Sequence, residues 1–221
     1  MKLLLSALTK LIVGLGLIVA LLFGPAGTFD YAGGWRLLGV LFVPMLLLGV
    51  ALFIWAPDLL RSRLKSKEQR GTQKGVVALS GVLFVAAFVV AGLDYRFGWS
   101  KLPEWSIWLG SILFLVGYGL YGEVMRENRW LSRSVEVVEG QKVVSTGLYG
   151  IVRHPMYSVT IVMFLSMPIV LGSLWAFVVM LPYVVIVALR ARDEERLLTS
   201  ELDGYKEYCT KVRWRLLPFV W

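Results

Sequence analysis

The chain of 221 residues is 57% hydrophobic with a mean hydropathy of +0.70, more apolar surface than one soluble core can hide, so much of it has the bilayer as its solvent. Its formal charge of +8 does not point to nucleic acid, because the basic residues fall between apolar spans and not along one continuous face. A single cysteine, Cys209, and a single histidine, His154, exclude an intrachain disulfide and the usual Cys- and His-based metal clusters, so no structural metal is expected.

The chain opens on 1–23, where Lys2 precedes a long apolar run in the manner of a secretory signal. Lys10 interrupts that run, and a retained first span over 11–29, preceded by an interfacial turn, is the preferred reading. A second span covers 37–55 with Pro44 inside it, which membrane helices tolerate when neighbours or water satisfy the freed carbonyl. The basic run 61–74 then reads as a cytoplasmic loop under the positive-inside rule, with a dedicated lipid-headgroup site as the lesser alternative. A third span covers 75–93, a loop over 94–105 suits the outer interface through its aromatics, and a fourth span covers 106–124. With the N-terminus inside, the loops 58–74 and 126–153 and the C-terminal tail all face the cytoplasm, opposite Arg36, Arg96 and Lys101. Gly110, Gly117, Gly119 and Gly122 on the fourth helix allow close approach of another helix.

Residues 126–152 do not form a span. Alternation over 135–144 is too weak for a strand, Gly140, Gly147 and Gly150 punctuate a loop, and its branched apolar residues argue against disorder. It reads as one wall of a site at the membrane surface. From 156 to 189 the chain is apolar again, broken by Pro168 and by Gly172-Ser173, and each half is about one short span. A helical hairpin is therefore expected, and it returns Arg190 to the side on which His154 began.

Pro155 suits the first turn of a helix, so His154 lies where a loop meets an apolar helix, beside unpaired N–H groups and the positive helix end. That position suits an anionic or carbonyl-bearing ligand; equally, Arg153 and His154 read as a polar anchor at the headgroup level. On the emerging helix Arg190 and Glu194 share a face, as do Ala191 and Glu195. These are either a solvated, salt-bridged helix end or a cation for a substrate carboxylate beside an acid for a cationic or hydroxyl-bearing cofactor. The stretches 204–208 and 212–219 read as an amphipathic tail on the membrane surface, anchored by Trp214, Phe219 and Trp221, with Cys209 as a packing residue. The expected fold is all-α: a polytopic transmembrane helical bundle of about four spans in 1–125, then a region 126–221 of cytoplasmic loop, membrane hairpin and cytoplasmic amphipathic tail.

The run Gln141-Lys-Val-Val-Ser-Thr-Gly-Leu-Tyr-Gly-Ile-Val-Arg-His-Pro-Met-Tyr157, the hairpin, Arg190-x-x-x-Glu194-Glu195, Gly204-Tyr-x-x-Tyr208 and Arg213-x-Arg-Leu-x-Pro218 together resemble the isoprenylcysteine carboxyl methyltransferase family. The resemblance covers 128–218, where several separate motifs agree in order and spacing. Gly147-Leu-Tyr149 departs from the Gly-Pro-Tyr more usual in the family.

The resemblance implies an integral-membrane methyltransferase that uses S-adenosylmethionine without a Rossmann-like domain, and the chain has no glycine-rich dinucleotide fingerprint. It also implies that Gln141, Lys142, Val143, Val144, Tyr149, His154, Pro155, Met156 and Tyr157 line the cofactor pocket, that Glu194 contacts the cofactor, and that Arg190 faces the substrate carboxylate. The implied acceptor is a lipophilic or prenylated carboxylate at the membrane–cytosol interface, and no nucleic-acid partner is expected. Methyl transfer from a sulfonium to an ionised carboxylate needs no general base, so alignment and exclusion of water would carry it, and His154 is not assigned as a base. The rivals are a phospholipid N-methyltransferase, for whose amine acceptor Arg190 is a poor partner, a steroid-reductase-like enzyme with a nicotinamide cofactor, and a non-enzymatic membrane protein on the same scaffold.

Overall fold

In a computed structural model, which describes residues 2–64, 71–128, 130–131 and 137–221, the apolar runs are helices and no strand forms among the described residues. In a bilayer this is what backbone chemistry demands, because lipid cannot satisfy an open N–H or C=O. The elements are α1 (Lys2–Ala26), α2 (Ala32–Trp55), α3 (Pro57–Leu64), α4 (Gly71–Phe97), α5 (Glu104–Glu127), a 3-10 turn (Gly147–Gly150), α6 (Pro155–Leu171), α7 (Leu174–Met180), α8 (Pro182–Glu201) and α9 (Tyr205–Lys211). Five described segments are long and apolar enough to cross a membrane: α1, α2, α4, α5 and the continuous run Leu174–Glu201.

The sixth apolar helix, α6, has 17 residues. Its far end nevertheless lies level with the turns that join the other spans. Tyr31 Oη, between α1 and α2, donates to the Leu171 carbonyl at 2.8 Å, and a Cβ on Gly33 would come within 2.6 Å of that same oxygen. The hairpin therefore traverses the bundle. Its turn is where the sequence placed one: Gly172, at φ 78°, ends α6 in the left-handed region, and Ser173 Oγ accepts from the Ala176 N–H to start α7. Pro168 stays inside α6, fully buried. The unexpected break lies at Pro182, which separates α7 from α8.

Helix ends depart from expectation wherever charged residues were taken as boundaries. α1 starts at Lys2 with no interfacial turn before residue 11 and stops at Ala26; the Lys10 side chain reaches along the surface to the carbonyl of Leu64, so its charge does not interrupt the helix. The expected basic loop is helical over 57–64 and 71–74, with 65–70 outside the described residues, as are 129 and 132–136 of the second loop. α4 continues to Phe97, which carries Asp94 into the bundle, 2% exposed. There Asp94 Oδ2 accepts from Ser173 Oγ and Ser100 Oγ, each at 2.5 Å, and Oδ1 accepts from the Ser100 N–H at 2.7 Å. What looked like an interfacial loop residue thus joins α4 to the start of α7.

α6 packs along α5, and two of the four glycines of α5 make that possible. A Cβ on Gly117 would sit 2.6 Å from Met163 Cγ, and one on Gly110 2.9 Å from the Ile169 side chain, whereas Gly119 has nothing within 4 Å. α4 packs on α1 in the same way, with Gly92 against the Leu22 carbonyl.

Candidate functional site

α2, α4, α5, α6 and α8 enclose a cavity of about 670 Å³, roofed by residues 141–154 and α9. This is the size of a site for a small molecule or cofactor. Gln141, Lys142, Val143, Val144, Tyr149, His154, Met156, Tyr157, Arg190 and Glu194 all lie on its wall. Pro155 does not; it is fully buried as the first residue of α6 and packs beneath the wall.

The roof is pinned to the end of α5. The Leu148 N–H donates to Glu127 Oε2 at 3.1 Å, and Asn128 Nδ2 donates to Tyr149 Oη at 2.9 Å. A proline at 148 would have no N–H to offer, so this bond depends on the residue there not being proline. Gly147 is required twice over: its φ is 50°, and a Cβ would lie 1.7 Å from Glu127 Oε1. From the other side, Tyr208 Oη donates to the Tyr149 carbonyl at 2.7 Å. Burial pushes the phenols of Tyr205 and Tyr208 well above their usual pKa, so both stay protonated at neutral pH.

His154 is 5% exposed, which rules out the headgroup anchor. Its Nε2 lies 3.3 Å from Glu195 Oε1 and its ring stacks on Tyr157. Arg153 Nε sits 2.7 Å from Glu195 Oε1, and Arg215 Nε donates to Glu195 Oε2 at 2.7 Å. Glu195 is therefore the hub that ties the loop, α8 and the tail together. The sequence showed it only as a neighbour of Glu194. Its partners lie far away along the chain, and no helical spacing could have supplied them.

On α8 the pair Arg190 and Glu194 does share a face, yet it is not a solvated ion pair. Tyr157 Oη stands between the two, donating to Glu194 Oε2 at 2.5 Å and accepting from Arg190 Nε at 2.9 Å. The guanidinium also lies over the Tyr157 ring, 5.9 Å from its centroid. One cation and one anion are thus held side by side on the cavity wall. Below them the wall turns apolar and aromatic with Met163, Phe164, Tyr183, Ile186 and Phe84.

The tail does more than the sequence implied. It folds over the site: the N–H groups of Arg153 and His154 donate to the carbonyls of Trp214 and Arg215 at 2.8 and 2.9 Å. Tyr205, Tyr208, Val212 and Leu216 are buried, and Trp221 packs against the core, leaving Phe219 at 87% exposure as the surface aromatic. The reason is electrostatic, since Arg215 finds its carboxylate in Glu195 and draws the extended backbone in behind it. Sequence reasoning also passed over Phe84, Phe164 and Tyr183, which carried no motif among so many apolar residues. Among the described residues no group of three His, Cys, Asp or Glu side chains is placed to hold a metal ion.

A phospholipid methyltransferase family model matches residues 105–204, from the start of α5 to the turn before α9, and so takes in the 141–154 part of the roof, the hairpin and the Arg190–Glu195 stretch. The chain is 31% identical over 91 residues to a Delta(14)-sterol reductase of Mus musculus, which covers 40% of this chain and 22% of the relative. It is 25% identical over 127 residues to a Delta(14)-sterol reductase of Arabidopsis thaliana, covering 52% and 34%. The chain thus spans about a fifth to a third of the length of these curated relatives. None of these matches singles out the isoprenylcysteine carboxyl methyltransferases. Five spanning segments and a cavity lined largely from the matched stretch make this an integral-membrane protein whose site-bearing half is similar to the phospholipid methyltransferase family and, more distantly, to sterol reductases.

Proposed function

We propose that the protein is an S-adenosylmethionine-dependent methyltransferase that methylates a carboxylate of a lipid-like or prenylated acceptor at the membrane–cytosol interface, with the roof and tail on the cytoplasmic side. The observation that carries this reading is the Arg190–Tyr157–Glu194 arrangement, which sets a cation and an anion together where the cavity passes from a polar mouth to apolar walls. The donor set fits the cofactor. Glu194, its side chain 27% exposed, shares the wall with Tyr149, Tyr157, Tyr205 and Tyr208, and a carboxylate among aromatic faces suits an ammonium or a sulfonium. S-adenosylmethionine, when bound, supplies the electrophilic methyl group. The chain supplies alignment: Arg190 holds the acceptor carboxylate ionised, Tyr157 fixes the guanidinium, and the apolar walls exclude water. A grip by Arg190 that is stronger in the ground state than in the transition state would slow the step.

The sterol-reductase relatives favour a second reading, a reductase using a reduced nicotinamide cofactor. Phosphates of such a cofactor call for several cations, and Arg153 on the cavity wall is already engaged by Glu195, as is Arg215. An amine acceptor, as in a phospholipid methyltransferase, would meet the positive charge of Arg190.

Calorimetric titration of the purified protein with S-adenosylhomocysteine, and separately with NADPH, tests the choice. Saturable binding of the first alone is expected; binding of NADPH alone would replace this reading with the reductase. Within the site, Glu194→Ala should weaken S-adenosylhomocysteine binding at least about tenfold, some 1.4 kcal/mol. Arg190→Ala should leave that affinity unchanged while lowering turnover of a carboxylate acceptor.

A further inference from the structure

We infer that Phe84, Phe164 and Tyr183 form the end wall of the cavity and set the length of apolar tail that the acceptor can carry, an inference that rests on the acceptor being lipid-like. Phe164 lies seven residues beyond Tyr157 on α6, and Tyr183 seven residues before Arg190 on α8. Seven residues are about two helical turns, so each aromatic shares the face of its polar counterpart about 10 Å deeper in the bundle. The two helices run in opposite directions, and the two intervals bring Phe164 and Tyr183 to the same depth. Phe84 reaches the same level from α4.

The three rings close on one another, two pairs edge to face and the third tilted. Phe84 and Phe164 have centroids 4.8 Å apart at 89°, Phe164 and Tyr183 5.3 Å at 66°, and Phe84 and Tyr183 5.8 Å at 60°, an arrangement that aromatic quadrupoles favour. Behind them lies a second, narrow void lined by Ala87, Phe88, Met167 and Met180, too tight to admit water. Phe84 and Phe164 belong to the walls of both spaces, so they are the partition between them. A tail lying down the cavity from Arg190 meets this partition and stops. The competing route is sideways, past Val77 and Gly81 of α4, where a Cβ on Gly81 would meet nothing within 4 Å; a tail leaving there would have no length limit.

The test measures displacement of a fluorescent fatty carboxylate by unlabelled saturated carboxylates of graded chain length, in wild type, Phe164→Ala and the milder Phe84→Leu. Folding of each variant is checked by its thermal unfolding. In wild type, affinity should rise with length and then level off. In the variants the plateau should move to longer chains, with a gain of up to roughly fourfold in affinity for each further methylene admitted. A wild type with no plateau, or a plateau that stays put in the folded variants, overturns the end wall. Because displacement needs no methyl transfer, it decides this point even if S-adenosylhomocysteine fails to bind, which would instead overturn the methyltransferase reading.

Discussion

Glu195 bridges two guanidinium groups, one to each carboxylate oxygen, and faces an imidazole in a position that is 12% exposed. Replacing it strands those cations, so Glu195→Gln is expected to cost about 3–5 kcal/mol, read as a lowered thermal unfolding midpoint. Glu194→Gln keeps an acceptor oxygen for Tyr157 and should cost about 1 kcal/mol or less. The two neighbours look alike in the sequence and differ because Arg153 and Arg215 converge on only one of them. Gly147→Ala would drive a Cβ into the Glu127 carboxylate, so it should free the roof and expose 137–153 to limited proteolysis while the spans stay folded. Burial pushes the Cys209 thiol above its ordinary pKa. Thiolate is therefore scarce at neutral pH, and alkylation of Cys209 should be slow in the folded protein and fast after denaturation.

At the scale of elements, the hairpin shows which signals survive folding. Pro155 at the start of α6 and Gly172 at its end act locally, through a fixed φ and through a left-handed turn, and both boundaries could be read directly. Lys10 and Asp94 misled because charge marks a boundary only when no partner is available, and the carbonyl of Leu64 and the hydroxyl of Ser173 are partners from distant segments, joined at Asp94 by the nearby Ser100 hydroxyl. Asp94→Ala should leave those hydroxyls without their acceptor inside the bundle, at about 1–3 kcal/mol. Faster hydrogen exchange at 173–177, with exchange in α5 unchanged, would show that the α4–α7 junction has loosened; unchanged exchange at 173–177 would count against the junction.

For the whole molecule, the tail is the piece that turns a bundle into a site. A chain ending at Lys211 keeps every spanning helix but loses the carbonyls that meet Arg153 and His154 and the guanidinium that meets Glu195. Its helical circular dichroism should remain that of the full chain, because each span satisfies its own backbone. Its affinity for S-adenosylhomocysteine should fall by about tenfold or more. Retention of full affinity would mean that the tail only covers the site and does not order it.

The sequence by itself determined that this is a membrane-embedded helical bundle, that a hairpin follows a long loop, and that the residues of the loop and of α8 return to the same end. Those conclusions follow from hydropathy, helix length and backbone chemistry, which act over a few turns of chain and need no knowledge of neighbours. Only the tertiary structure decided that Glu195 is the hub, that Tyr157 stands between Arg190 and Glu194, that the tail folds over the cavity, and that three aromatics close its far end. Each of these depends on side chains meeting from separate segments, and where a buried charge or an aromatic ring finds its partner is set by packing in three dimensions, which no local pattern encodes.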